Sequence, residues 1–338
     1  MTLTEPPAES TALLDATRNG GSASPAPRSR RLVPLLAALV VLVLAGVGVG
    51  AGAVVPREPD TAQMRYPAVT FPSAAVAAPC TSGGGPPPEV PAVGGDAAAW
   101  LRAAAAGLGP ADADTTTGRY AHIRRHAWYG DMGPGADGLG HTELRVQTVE
   151  GWYAEDGTGA TITTTYPRGS TQPASGAAGA KVEREVAAAG HEHYHHLYFP
   201  GLPSSDPQQL AGQLHRMQPP QVGEQALIRA VARLVEEYTL PCPVRSAVLQ
   251  VLATSRVVWR GPVTDRAGRP AVAVSVDSAD GVERDTLLLD PGTGVVRGYE
   301  ELVLRNPGKL AGPFPLLFEA LVYLTTDWQD AIGPAATS

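Results

Sequence analysis

The stretch LVPLLAALVVLVLAGVGVGAGAVV, from Leu32 to Val55, contains no charged residue. A run of roughly 20 apolar residues crosses a bilayer core, so the segment predicts one transmembrane helix and divides the chain in three. Arg28, Arg30 and Arg31 precede it, and Arg57, Glu58 and Asp60 follow it. Basic residues collect on the cytoplasmic side, which puts the N-terminus in the cytoplasm and the C-terminal bulk outside the cell membrane. A cleaved signal peptide competes with this reading, because Ala51-Gly52-Ala53 mimics a cleavage site. The length of the apolar run and a preceding tail of roughly thirty residues favour an uncut anchor. No cysteine for lipid attachment follows the span.

Residues 1–31 are rich in Ser, Pro, Ala and Thr and read as a disordered cytoplasmic tail. Residues 56–92 end in SGGGPPPEVPAVGG, where proline and glycine oppose regular structure, and read as a stalk. Residues 93–330 are left for an extracytoplasmic domain and 331–338 for a short tail. The net charge of −7 lacks the basic excess of a nucleic-acid binder. The expected partners are the cytoplasmic membrane and another envelope or signalling protein. Lys181 and Lys309 are the only lysines, and with abundant Ala, Gly and Pro this points to a GC-rich bacterial genome.

Cys80 and Cys242 both fall on the outer side of the predicted span, where disulfides persist. A Cys80–Cys242 bridge would tie the stalk to a helical region. Two unpaired thiols, or a bond to a partner protein, are the other readings.

Within the domain, Asp96 is an N-cap ahead of AAAWLRAAAAGL. RYAHIRRHAWYG, HTELRVQTVEGWYAED and TITTTYP read as strands, with a hairpin turn at DGTG, and GSTQPASGAAGA as a loop after them. Asp206-Pro207 opens a helix. In EQALIRAVARLVEEYTL, apolar residues from Leu227 to Tyr238 step at helical spacing until Pro241 and Pro243 stop them. A short helix and five more strands follow, with turns at DRAGRP and DPGTG. Strands, helices, strands predict an α+β domain: a curved antiparallel sheet covered on one face by helices, preceded by one transmembrane helix.

The segment from Gln225 to Val303, with its long helix ending at Leu-Pro, its VTDRAGRP turn and its LLLDPGTG hairpin, resembles a family of actinobacterial single-pass membrane proteins of uncharacterised function. Members of that family are commonly encoded beside extracytoplasmic-function sigma factors. YAHIRRHAWYG and GWYAEDGTG fit the family's first strand pair, so the resemblance covers most of residues 96–330. The strand-turn-strand arrangement around DPGTG is similar to lipoprotein-carrier and sigma-regulator sensor folds, an analogy of fold only. The chain departs from the pattern in two ways. No cysteine precedes Cys80, so the tail lacks the His/Cys zinc signature of many anti-sigma domains, and a histidine cluster is not a family feature.

That cluster is HEHYHH. In an extended segment His191, His193 and His195 share one face and could donate to Zn or Cu. A fourth ligand would have to come from His122, His126 or His141. A pH-sensitive surface patch and a plain solvated strand end are the competing readings. HIRRH echoes HExxH but has Ile in place of the catalytic Glu, and Asp112 and Asp114 lack a third acidic neighbour. Because no nucleophile has an identifiable base and no phosphate or dinucleotide glycine pattern occurs, the expectation is a non-enzymatic protein without a cofactor.

Trp128, Tyr129, Trp152, Tyr153 and Trp259 fall in strands and are candidates to line a concave ligand site, with ordinary core packing as the alternative. The expected function is that of a membrane-anchored extracytoplasmic sensor or accessory protein in envelope and sigma-factor signalling. Alternatives are a tethered carrier of a lipid, lipoprotein or hydrophobic peptide, and histidine-mediated metal binding.

Overall fold

The computed structural model describes residues 89–92, 94–108, 118–174, 176–187, 202–308 and 310–333. Residues 1–31, expected to be a cytoplasmic tail, the expected Leu32–Val55 span, most of the expected stalk and residues 334–338 lie outside the described residues. Among the described residues no helix is long and apolar enough to cross a membrane.

The domain opens with helix α1 (Ala97–Gly107), whose first turn is closed by the Asp96 carboxylate accepting from Ala99 N at 3.0 Å. Four strands follow: β1 (Tyr120–Pro134), β2 (Gly140–Tyr153), β3 (Gly159–Thr165) and β4 (Lys181–Ala187). The middle of the domain is helical, with α2 (Pro207–Met217), a 3-10 turn (Pro220–Val222), α3 (Ala226–Val235) and α4 (Cys242–Ala253). Asp206 caps α2 as its sequence predicts, accepting from Gln209 N at 2.8 Å ahead of Pro207. Five strands complete the chain: β5 (Val258–Thr264), β6 (Pro270–Asp277), β7 (Glu283–Leu289), β8 (Val296–Val303) and β9 (Leu316–Gln329).

The nine strands of the described residues form one sheet in the order β4-β3-β2-β1-β9-β8-β7-β6-β5, and each neighbouring pair is antiparallel. The order encodes two meanders. Strands β1 to β4 step outward one hairpin at a time, β5 to β9 step inward, and the last strand lies beside the first. Aspartate-centred turns hold the hairpins. Asp265 Oδ1 accepts from Ala267 N and Arg269 N at 2.9 and 2.8 Å, and Asp290 Oδ1 accepts from Gly292 N and Thr293 N at 2.9 and 2.7 Å. In each of these two turns a glycine takes a left-handed φ, Gly268 at 78° and Gly294 at 64°, a conformation that costs glycine little.

Two details differ from the sequence reading. Residues 181–187, to which the sequence reading assigns no element, form edge strand β4, whose first six residues are exposed. Having no buried face, β4 has no amphipathic signal to read. Helix α3 ends at Val235, earlier than its apolar stripe, and Glu236 turns its carboxylate toward Arg125 of β1 at 2.9 Å. Tyr238, the end of that stripe, still packs on the core.

The helices cover one side of the sheet. A single large cluster joins Leu101, Leu210, Ile228, Leu234, Leu249 and Leu252 from the helices to Ile123, Val274, Leu287, Leu289 and Leu321 from the strands. The opposite side carries smaller clusters, one around Trp128, Val146, Leu302 and Val322 and another around Tyr120, Trp152 and Ile162. Leu249 is fully buried in the large cluster. Leu249→Ala is expected to cost about 2–5 kcal/mol through lost burial and a residual cavity, read as a fall in the urea midpoint with an unchanged slope.

Candidate functional site

The five candidate aromatics do not share a surface. Side chains alternate faces along a strand, so each tandem pair is split. Trp128 and Trp152 lie on the side away from the helices, in separate clusters, whereas Tyr129 and Tyr153 pack against the helix-side core. Their indole N–H groups are engaged: Trp128 Nε1 donates to Thr171 O at 3.0 Å and Trp152 Nε1 to Gln329 Oε1 at 2.8 Å. Trp259 stands on β5 at the far edge of the sheet, 5.2 Å from the Trp100 ring, donating to Ala92 O at 3.0 Å. The five candidates therefore fall into three separate packing clusters.

His191, His193 and His195 lie outside the described residues, as does Cys80. Cys242, at the start of α4, is disulfide-bonded. Among the described residues no group of three or more His, Cys, Asp or Glu is placed to hold a metal ion. His141, at the start of β2, is half-exposed and faces Asp137 at 3.0 Å.

His122 and His126 share the helix-free face of β1 and differ sharply in chemistry. His122 is buried between two carboxylates, with Nδ1 2.6 Å from Asp327 Oδ1 and Nε2 3.0 Å from Glu150 Oε1, and its ring stacks 5.0 Å from that of Trp152. A carboxylate opposite each ring nitrogen favours the imidazolium form, in which both nitrogens donate, although Nδ1 also lies 2.8 Å from Gln329 Nε2. Burial alone would lower the imidazole, but the hydrogen bonds to Asp327 and Glu150 outweigh it and raise the pKa to about 9. His126, two positions before Trp128, bonds through Nδ1 to Thr148 Oγ1 at 2.9 Å. Burial, helped by the Arg124 charge, pushes it down to about 3, so it stays neutral.

The densest polar site lies on the other side, between α3 and the sheet. Asp285 of β7 stands directly opposite Glu301 of β8, and Glu301 directly opposite Glu319 of β9. Tyr129 of β1 extends the row. Directly opposed side chains lie about 5 Å apart, where like charges repel. Helix α3 answers with two arginines one turn apart. Arg229 grips Asp285 with a fork, Nε to Oδ1 at 3.0 Å and Nη2 to Oδ2 at 3.1 Å, and reaches Glu283 at 3.1 Å and Glu301 at 3.3 Å. Arg233 bonds Glu236 at 2.7 Å and lies 3.8 Å from Glu319, while Arg125 of β1 also pairs with Glu236. The Tyr299 hydroxyl donates to Asp285 in a short hydrogen bond. Burial raises the Asp285, Glu301 and Glu319 carboxyls, Glu301 to about 8.

None of these row residues stands out as a motif, yet a signal exists. Glu283 and Asp285 share parity with buried Leu287 and Leu289, Glu301 with Tyr299, and Glu319 with Leu321 and Tyr323. Charges in phase with a buried stripe face inward. Comparison with protein-family models, curated proteins and solved structures finds no match for this chain.

Arg229 is 19% exposed and Asp285 fully buried, whereas Arg233 is half-exposed. Arg229→Met is therefore expected to cost about 3–5 kcal/mol in urea unfolding, because it strands a buried carboxylate. Arg233→Met is expected to cost under about 1 kcal/mol. The pH dependence has a defined sign at His126. With its folded pKa depressed from 6.5, its contribution is present above pH 6.5 and is lost as pH falls toward about 3. Stability measured from neutral pH downward should decline through that window, and less steeply in His126→Gln.

Proposed function

We propose that the chain is a non-enzymatic, single-pass membrane protein whose extracytoplasmic α+β domain acts as a sensor or accessory partner in envelope signalling, as in the actinobacterial sigma-factor-associated family it resembles. The observation that carries the reading is the use to which the domain puts its most perturbed charged groups. His122 is closed between Asp327 and Glu150, and Arg229 between Asp285, Glu283 and Glu301. These groups join elements of the fold to one another, an arrangement suited to a domain that changes state and passes that change to a partner. The uncharged Leu32–Val55 segment, with arginines on its N-terminal flank, supports a membrane anchor with the domain outside. One broad antiparallel sheet with helices on one side supports kinship with lipoprotein-carrier-like sensor folds.

The tethered-carrier alternative draws no comparable support, since its aromatic residues face opposite sides of the sheet. The topology is tested by fusing alkaline phosphatase or green fluorescent protein after Ser338. An active phosphatase and a dark fluorescent fusion are expected, and the reverse pattern would overturn the anchor. The signalling role is tested by deleting the chain and measuring transcription from extracytoplasmic sigma-dependent promoters under envelope stress. A changed response is expected, and an unchanged profile, with no envelope protein cross-linking to the full chain, would sink this function.

A further inference from the structure

The contact between α3 and the sheet holds more acid than base. Five carboxyl groups, Asp285 and Glu283 of β7, Glu301 of β8, Glu319 of β9 and Glu236 at the end of α3, meet three guanidiniums, Arg229, Arg233 and Arg125. The remaining titratable groups facing them are tyrosines: Tyr299 from β8, Tyr323 from β9, Tyr129 from β1 and, toward Arg125, Tyr153 from β2. With every carboxyl ionised the site would carry a net charge of minus two in a poorly hydrated space, a costly arrangement.

The contacts are unequal along the row. Asp285 takes the Arg229 fork and the Tyr299 hydroxyl, and Glu236 takes both Arg125 and Arg233. Glu301 and Glu319 are left with longer contacts, 3.3 Å to Arg229 and 3.4 Å to Tyr299 for the first, 3.8 Å to Arg233 for the second. Glu319 is 7% exposed, and its Oε1 is buried without a hydrogen-bond partner. These two carboxyls, opposed across β8 and β9, are the least compensated and the natural holders of protons.

We infer that the Asp285–Glu301–Glu319 row is a proton-loaded latch: Glu301 and Glu319 hold protons while α3 is docked on the sheet, and losing them at alkaline pH loosens α3. A proton leaving Glu301 passes to solvent base and sets its carboxylate directly opposite that of Asp285, and one leaving Glu319 as well extends the repulsion along the row, with α3 unable to supply another cation. Glu301 fits the direction, since burial lifts its carboxyl to about 8. A raised folded pKa gives stability that is full below the unfolded value near 4.5 and fades as pH rises through about 8. The remaining apolar contacts of α3, through Ile228, Val231 and Leu234, make loosening rather than unfolding the outcome. The latch is a property of the domain and stands whatever partner the domain signals to.

The test uses the full chain in detergent or nanodiscs. Infrared spectra at neutral pH should show a neutral carboxyl C=O band that disappears in Glu301→Gln/Glu319→Gln. Hydrogen exchange of the α3 amides, corrected for intrinsic rates, should accelerate by at least about tenfold between about pH 6 and about pH 9, while α1 amides hold steady. In the double variant, whose amides mimic neutral acids, α3 protection should become independent of pH. If the variant fails to fold, the wild-type band and exchange profile decide. Absence of the band, or α3 exchange that tracks α1 at every pH, overturns the latch.

Discussion

The ladder between β1 and β9 is the contact on which the rest of the domain depends. Among the described residues every other strand pairing joins neighbours in sequence. The β1–β9 ladder alone runs from Tyr120 against Gln329 to Tyr129 against Glu319 and brings the two ends of the domain together. Without it there are two separate meanders, neither wide enough to carry the helix-side core. That core draws Ile123 and Ala127 from β1, Leu321 and Tyr323 from β9, and Leu287 and Leu289 from β7. The helices lie between the two meanders in sequence, so they can bury their apolar faces fully only on a sheet that is already joined. Local hairpins close cheaply and distant pairings do not, which makes this ladder the expected slow step in assembly.

The same junction explains why charged groups sit inside. A buried ion pair is weak evidence for stability, because well-packed apolar side chains often do as well. What the Asp285–Glu301–Glu319 row and the α3 arginines supply is position. Arg229 fits only where a carboxylate fork awaits it, and a slip of one residue in β8 or β9 would turn Glu301 or Glu319 to the opposite face. Arg125 of β1 reaches Glu236 beyond α3, and the Tyr323 hydroxyl of β9 donates to Ala232 O at 3.0 Å. Helix α3 is thereby indexed against strands of both meanders.

Much of this architecture is legible in the chain. The Asp96 and Asp206 caps, the aspartate-glycine turns and the strand-helix-strand succession follow from local chemistry, and local chemistry is what short windows of sequence contain. Strand β4 is not legible, because Val182, Arg184 and Val186 lie on an edge with no burial to imprint a period. The site was missed for a different reason. Asp285, Glu301 and Glu319 come from three strands, and only the β8–β9 and β7–β8 registers make them neighbours. A residue-by-residue search for motifs weighs HEHYHH and HIRRH because they are contiguous. It passes over inward-facing acids whose partners are distant. The tandem Trp-Tyr pairs mislead in the opposite sense, since adjacency in a strand guarantees separation in space.

Strand β9 is where the two titrating sites meet. Its early residues face α3 through Glu319 and Tyr323, and its late residues face the opposite side, where Asp327 and Gln329 reach His122. Thr239, just beyond α3, donates to Asp327 O at 3.0 Å and ties the helical layer to the same strand. His122 stabilises the fold while it is an imidazolium, and Glu301 and Glu319 do so while they are neutral. Both conditions are met on the acid side of about pH 8, and both fail in the same direction as protons are withdrawn. The contacts that depend on protons thus converge on the strand whose pairing completes the sheet. A change at either face is felt where the two meanders are joined.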